Sequence, residues 1–213
     1  IVKRIRQHGM AFSIATNGTL LTDENVAKLK EFDCLYVQVS VDGATARTHN
    51  AFRGRNSFER TVEGIKKLVA AGICTGIAMT VTKHNIAEVP AVIERTDRLG
   101  AGLFMHYNFI PTGRGKGIVA QDITPEEREK LLAFLVSQIG KRKCSLLSTA
   151  PQYARICASR NCPASMTHFD NISQMQGGSS VGFLAEFIGG CGTARLYSAL
   201  EPKGDIEPCV FIS

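Results

Sequence analysis

Residues 11–41 read AFSIATNGTLLTDENVAKLKEFDCLYVQVSV and contain a short apolar run, an amphipathic stretch and a second short apolar run. The apolar runs at 11–16 and 35–41 have the length of strands, and the stretch from Asp23 to Phe32 has the pattern of a helix. Two strands joined by a crossover helix lie parallel in one sheet. This stretch therefore predicts a parallel α/β fold.

The same alternation of strands and helices continues along the chain. The further predicted elements are a helix over 57–71, a strand over 75–81, a helical stretch over 85–99, a strand over 103–109 and, after a loop over 110–123, a helix over 124–139. Pro90 favours a break or a late start in its helical stretch, and TPEE at 124–127 has the capping pattern of a helix start. Four strands alternating with helices indicate a sheet that is either doubly wound or bent into a barrel.

The two ends of the chain depart from this alternation of strands and helices. The opening IVKRIRQHG has the pattern of the end of a crossover helix with no strand before it, so we expect the chain to be a fragment. From about residue 140 we expect the alternation to be lost. QMQGGSSVG at 174–182 has the composition of a linker, and a different unit is expected to begin near Ala185.

Charge and hydropathy exclude some classes of protein. The net charge is +6, but the basic residues are scattered rather than grouped with aromatic residues, which argues against nucleic-acid binding and is compatible with an anionic substrate. No apolar run reaches the roughly 18 residues of a membrane span, and the start lacks the layout of a signal peptide. We therefore expect a cytoplasmic protein with no membrane partner.

The seven cysteines are an odd number spread over the chain, which argues against a disulfide framework. Cys34 and Cys74 adjoin apolar strands and are interpreted as small buried hydrophobic residues. The pattern assigns no role to Cys144, Cys157 or Cys162.

Polar residues follow the predicted strands at their carboxyl ends, where the variable loops of parallel sheets carry reactive groups. Asn17 follows the first strand, and Asn108 lies in the fourth. In VQVSVDG the side chains alternate, so Gln38, Ser40 and Asp42 share one face. An ordinary strand that ends in an Asp-Gly turn has the same pattern.

Two arginines follow the second strand. Arg53 in the predicted loop and Arg60 in the first turn of the next helix could meet a carboxylate or phosphate, although helical arginines are often simply solvated. Arg60 has the better position, because the start of a crossover helix lies beside the strand ends. GRGKG at 113–117 lacks the spacing of a phosphate-binding loop, and the five histidines form no HxxxH-type pair.

The C-terminal stretch from Cys191 to Cys209 has the pattern of a hairpin with its turn at Lys203 and Gly204. Such a hairpin could bring the two thiols to its base, where thiolates suit a soft metal or an iron–sulfur cluster. Two unrelated buried cysteines would give the same pattern, since two ligands are only half of a tetrahedral set.

In combination these motifs resemble those of the radical S-adenosylmethionine enzymes that carry a C-terminal SPASM or twitch-type auxiliary iron–sulfur domain. The resemblance rests on TNGTLL, VSVDG, HNAFRG, SFERTVEGIKKL, NFIPTGRG and the terminal hairpin, in this order. It implies an α/β fold with a partial TIM-like (β/α) barrel, truncated at both ends. The implied domains are the barrel over 1–140, a connecting segment over 141–184 and the start of the auxiliary-cluster domain over 185–213.

The resemblance also implies binding residues. Ser40 and Asp42 match the positions that address the ribose and amino-acid parts of S-adenosylmethionine, and Arg60 matches the group for its carboxylate. Asn17 would line the pocket, and the strand backbone at 107–108 would flank the adenine. No residue matches a catalytic acid, base or radical relay.

The iron–sulfur ligands implied by the resemblance lie partly outside the sequence. Cys191, Gly204 and Cys209 match the opening of the auxiliary-cluster domain, with Cys191 and Cys209 as ligands of a [4Fe-4S] cluster. The CxxxCxxC loop of the barrel cluster belongs with a preceding strand that this chain lacks. This segment alone is therefore not expected to catalyse the reaction.

For the intact enzyme, the resemblance implies reductive cleavage of S-adenosylmethionine to a 5′-deoxyadenosyl radical that abstracts a substrate hydrogen. The substrate would be a peptide, a protein or a tetrapyrrole, and the electron donor a flavodoxin or ferredoxin. Two other functions stay open from the residues alone. They are a metal-independent α/β barrel enzyme and a zinc-stapled basic binding protein.

Overall fold

The computed structural model describes residues 1–160 and 198–209. Five parallel strands form one sheet in the order β1 to β5, so neighbours in sequence are neighbours in space. The strands are β1 Ser13–Thr16, β2 Tyr36–Ser40, β3 Thr75–Val81, β4 Leu103–Asn108 and β5 Ser145–Ser148. The predicted parallel α/β fold is confirmed. Within the described residues the sheet is open at both edges, which agrees with a partial barrel.

Helices connect the strands. They are α1 Val2–Gln7, α2 Asp23–Glu31, α3 Ala46–Arg53, α4 Phe58–Ala70, α5 Val89–Leu99, α6 Pro125–Gln138 and α7 Gln152–Ser159, with 3-10 helices at Ile86–Glu88 and Gly113–Gln121. The Thr22 hydroxyl caps α2, and Thr124 and Glu127 form a capping box at the start of α6. The predicted late start at Pro90 is confirmed, because a 3-10 turn precedes α5.

The alternation of side chains along the strands produces two buried layers. Apolar residues of one face pack with the helices in the larger core, including Val37, Val39, Ile77, Met79 and Phe104. The opposite face has a smaller cluster formed by Tyr36, Ala78, Leu103, Met105 and Leu147. Because both faces of the strands are covered, the strands are apolar over most of their length.

Three expectations from the sequence are wrong. The strand and helix alternation continues after residue 140, because β5 pairs with β4 in the same sheet and α7 follows it. The proposed barrel boundary at residue 140 therefore leaves β5 outside the unit to which its hydrogen bonds belong. The predicted loop over 110–123 contains a 3-10 helix, and Arg53 ends helix α3 instead of lying in a loop.

The C-terminal hairpin is present in the described residues. Two short antiparallel strands, β6 Ala199–Leu200 and β7 Ile206–Glu207, pair with each other, and Gly204 in the turn has a φ of +98°. Cys209 follows β7 and is buried. Cys191, Cys162 and the predicted linker lie outside the described residues.

Candidate active site

A row of polar side chains lies on one face of the sheet near the carboxyl ends of its strands. The register places Ser40 beside Ala78, and Thr80 beside Tyr107. Gln38 on β2 and Tyr107 on β4 meet above β3, where the Gln38 Nε2 donates to the Tyr107 hydroxyl at 3.1 Å. The two side chains can meet because β3 presents the small residues Gly76 and Ala78 between them. The hydroxyls of Ser40 and Thr80 make no hydrogen bond within the described part of the chain, so both are available to a ligand.

Asn17 lies at the same edge, in the turn after β1. Its side-chain oxygen accepts hydrogen bonds from the backbone N–H and the hydroxyl of Thr19, at 3.0 and 2.8 Å. The next helix holds this turn closely, because the Thr61 hydroxyl donates to the Asn17 carbonyl at 2.8 Å. A Cβ atom at Gly64 would lie 2.6 Å from the Gly18 carbonyl oxygen, so the approach of α4 to the turn requires glycine.

Arg60 projects from the first turn of α4 toward this turn. Its Nη2 donates to the Thr19 carbonyl at 2.9 Å, and the side chain is exposed. The predicted position of Arg60 beside the strand ends is thus observed. Asn17, Ser40 and Arg60 thus all lie at the carboxyl ends of the strands, near β1 and β2. We call this side of the sheet its carboxyl edge.

Asp42 differs from the expectation of a ligand-facing carboxylate. It has 0% exposed surface, one carboxylate oxygen pairs with the Arg53 guanidinium, and the other accepts the Thr80 N–H at 2.8 Å. The Asn85 amide donates to the Asp42 carbonyl at 3.0 Å. The carboxylate thus joins β2, β3 and α3 below the surface of the site, whereas the sequence pattern placed it on the ligand-facing row.

Helix α3 supplies residues that the sequence analysis did not assign. The ring of His49 accepts the Asp42 backbone N–H at 3.2 Å, and burial lowers the pKa of His49. The hydroxyl of Thr45 caps the helix by accepting the Thr48 N–H. An N-cap threonine is a signal that could have indicated α3, but the sequence analysis did not use it, and a helix of eight residues is too short for apolar periodicity to confirm.

A histidine and a serine form a buried pair on the helix-covered side of the sheet, away from this row. The Nδ1 of His106 lies 2.8 Å from the Ser148 hydroxyl, and its Nε2 is buried without a hydrogen-bond partner in the described residues. Burial, followed by the charge of Arg128, lowers the pKa of His106 to about 3. The ring is therefore held neutral within the core.

The described thiols do not assemble a metal centre. Over 1–160 and 198–209, no three His, Cys, Asp or Glu side chains come together as a metal-binding group. Burial raises the pKa of Cys34 and Cys74 and, with the neighbouring Asp97 carboxylate, raises the pKa of Cys144 to about 12. These groups favour the thiol form over the thiolate that a cluster needs. In the same ranges, no helix has the length and apolar character to cross a membrane.

Comparison with protein families identifies one match. Residues 1–96 match the family model of the Radical SAM superfamily. This stretch contains the turn after β1, the polar end of β2 and the arginine on α4.

Two curated relatives of this chain are named for different activities. An AdoMet-dependent heme synthase of Methanosarcina barkeri is 39% identical over 150 residues, which cover 70% of this chain and 42% of the relative. The mycofactocin maturase MftC of Mycobacterium ulcerans is 29% identical over 206 residues, or 96% of this chain and 49% of the relative. The chain thus spans about half the length of the curated relatives that it matches.

Two solved structures share the fold. Streptococcus suis SuiB bound to S-adenosylmethionine has a TM-score of 0.72 and 15% identity, over 98% of this chain and 45% of SuiB. The enzyme anSMEcpe with bound AdoMet has a TM-score of 0.61 and 20% identity, over 95% of this chain and 51% of that enzyme. At these identities the likeness concerns the fold.

Proposed function

Since this chain belongs to the radical S-adenosylmethionine superfamily, we propose that the protein containing it is an oxidoreductase-type enzyme that abstracts a hydrogen atom from its substrate. The family uses S-adenosylmethionine and a [4Fe-4S] cluster. When bound, they supply a 5′-deoxyadenosyl radical by reductive cleavage. The observation that carries the proposal is the row of polar side chains at the carboxyl edge of the sheet in a chain of this family.

The described residues fit S-adenosylmethionine at this edge. The Ser40 hydroxyl, without an internal partner among the described residues, suits a ribose hydroxyl, and the Arg60 guanidinium suits the carboxylate. Asn17 has an amide NH2 group that makes no hydrogen bond in the described residues and would line the pocket. The backbone at 107–108 would flank the adenine. We assign Asp42 a positioning role, because its oxygens are held by the protein.

We propose that the iron–sulfur clusters are held by cysteines other than Cys34, Cys74, Cys144 and Cys157. The barrel cluster requires a CxxxCxxC loop on sequence that precedes this segment. Cys191 and Cys209 are proposed as ligands of an auxiliary [4Fe-4S] cluster in a SPASM or twitch-type domain that starts in 185–213, after a connecting segment that ends at 184. The observed hairpin before Cys209 supports this assignment.

The substrate is proposed to be a tetrapyrrole or a peptide, since relatives with both kinds of name match this chain. A flavodoxin or ferredoxin is the proposed electron donor, and we propose neither nucleic acid nor a membrane as a partner. We also propose a cytoplasmic setting, in line with the expectation from the sequence.

Arg60→Gln is expected to weaken S-adenosylmethionine binding about ten-fold, and Ser40→Ala about five-fold, because each removes one hydrogen-bonding group from the pocket. Equilibrium binding to the anaerobically reconstituted protein measures both effects. The matched control is Arg98→Gln, which removes an exposed helical arginine from the last turn of α5, at the opposite edge of the sheet. An affinity that changes equally in Arg98→Gln would remove the assignment of Arg60.

The double variant Cys191→Ala/Cys209→Ala is expected to lose up to about four iron atoms per protein, because an auxiliary [4Fe-4S] cluster would lack two ligands. Iron and sulfide analysis of anaerobically prepared protein measures the loss. Cys144→Ala is the control, since this thiol is buried beside Asp97 and lies outside the hairpin. Iron content equal to the parent in the double variant would show that these cysteines are not ligands.

A further inference from the structure

The segment that follows β4 is closed at both ends by one arginine. The Nη1 of Arg128 donates to the Asn108 side chain at 3.1 Å, and its Nη2 donates to the Asp122 carboxylate at 2.9 Å. Residues 109–122, which we call the clamped loop, therefore begin and end at the same guanidinium. Phe109 and Ile123 are buried at the two ends and anchor the loop in the protein.

The clamped loop lies at the edge of the sheet that carries the candidate site. It starts where β4 ends, directly after Tyr107 and Asn108. Its far end is bonded to the turn after β3, because the Lys83 N–H donates to the Gln121 carbonyl at 2.8 Å and the Lys83 Nζ donates to the Ala120 carbonyl at 3.1 Å. The loop thus borders the polar row over β3 and β4.

The surface of the loop combines cations with apolar side chains. Arg114 and Lys116 are exposed, and neither takes part in an ion pair within the described residues. Ile110, Ile118 and Val119 are 44%, 38% and 57% exposed, although large aliphatic side chains are usually covered. From 109 to 121 the loop contains no acidic residue.

We propose that the clamped loop binds the substrate of this site and that this substrate is a tetrapyrrole with carboxylate side chains. Such a molecule has a flat apolar body, which matches Ile118 and Val119, and peripheral carboxylates, which match Arg114 and Lys116. The assignment rests on the proposed function, because it places the substrate beside the proposed S-adenosylmethionine site. A peptide is the other class of substrate, and the test separates the two.

The arrangement of the loop favours a rigid, anionic ligand. The Arg128 clamp and the bonds to Lys83 fix the loop at both ends before binding, so less conformational entropy is lost when a rigid ligand binds. Cations without an internal partner in the described structure can bind carboxylates without breaking an existing ion pair. Exposed aliphatic residues between them provide the apolar contact that an ordinary solvated loop does not need.

The test measures binding of protoporphyrin IX and of its uncharged dimethyl ester to the anaerobically reconstituted full-length protein, by porphyrin fluorescence. S-adenosylmethionine binding is measured in the same preparations. The variants are Arg114→Gln/Lys116→Gln, which removes both charges, and Arg114→Lys/Lys116→Arg, which keeps them. The matched control is Lys141→Gln/Lys143→Gln, because these exposed lysines precede β5 at the opposite edge of the sheet.

The proposal predicts that the neutral double variant binds protoporphyrin IX about ten-fold more weakly than the parent, with S-adenosylmethionine affinity unchanged. The charge-conserving variant should bind it within about two-fold of the parent, because the charge of the loop is unaltered. The Lys141/Lys143 control should also stay within about two-fold, because its two lost charges lie at the opposite edge of the sheet and are screened from the loop. The parent should bind the uncharged dimethyl ester more weakly than protoporphyrin IX. Added salt should also weaken its binding of protoporphyrin IX.

Two results would overturn the inference. One is a parent that binds S-adenosylmethionine but not protoporphyrin IX, which would favour a peptide substrate. The other is a neutral double variant that binds protoporphyrin IX as tightly as the parent. Failure of the parent to bind S-adenosylmethionine would instead count against the proposed function, while a charge-dependent porphyrin affinity would still support the role of the loop.

Discussion

Asp42→Asn is expected to lower the free energy of unfolding by about 3 kcal/mol, because it removes the charge that pairs with Arg53 and places an amide donor against the guanidinium. Asp42 is fully buried, so water cannot replace the lost partner. The side chain of Arg53 is 31% exposed and regains part of its hydration, which keeps the effect at the low end for a buried pair. Urea denaturation of parent and variant measures the difference.

Asp33→Asn is the matched control, since Asp33 also pairs with an arginine. Its partner is Arg6 at 3.0 Å, but the Asp33 side chain is 74% exposed. An exposed pair of this kind contributes about 1 kcal/mol or less. Equal losses in the two variants would contradict the structural role assigned to Asp42. S-adenosylmethionine affinity should also fall in Asp42→Asn, because the same carboxylate holds Thr80 on the polar row.

Stability should decrease on acidification because of His106. Its folded-state pKa is about 3, below its ordinary value of 6.5, so the unfolded state binds the proton first as pH falls. The contribution of the neutral ring is present above pH 6.5 and is lost progressively as pH falls toward 3. Over the whole window the loss is on the order of 4 kcal/mol.

The measurement is urea denaturation of the parent and His106→Gln at a series of pH values from 7 to 4. Carboxylates contribute the same slope to both proteins, so the difference between the two curves isolates the histidine. Ser148→Ala is the control, because it removes the hydrogen bond to the ring but leaves the ring buried. It should keep the excess slope of the parent. Parallel curves for the parent and His106→Gln would show that the ring is not held neutral.

Local patterns in the sequence were sufficient for the elements with a long and regular signal. The predicted strand at 75–81 coincides with β3 at both ends, since a seven-residue run rich in β-branched residues is bounded by a helix end and a turn. The threonine, proline and glutamate at 124–127 defined the start of α6. The short elements β5 and α3 were missed, because four to eight residues are too few to show a period.

The residues of the candidate site, too, could be predicted from the sequence only in part. Period-two alternation placed Ser40 correctly on a polar face, and the position of a crossover helix placed Arg60 beside the strand ends. Alternation could not show that Asp42 turns into the protein, since that depends on Arg53 arriving from a helix that the sequence analysis did not assign. Thr80 was also missed, because one threonine in an apolar strand carries no signal of its own.

Strand and helix periods and ordered motifs are local properties of the chain, so the parallel α/β framework and the resemblance to the radical S-adenosylmethionine enzymes could be predicted from them. The packing of the folded chain establishes which polar groups are buried by partners and which stay available. It joined Asn108 and Asp122 through Arg128, and so turned a basic, apolar segment into a loop held beside the site. Contacts between residues far apart in sequence depend on packing, and no local pattern encodes them.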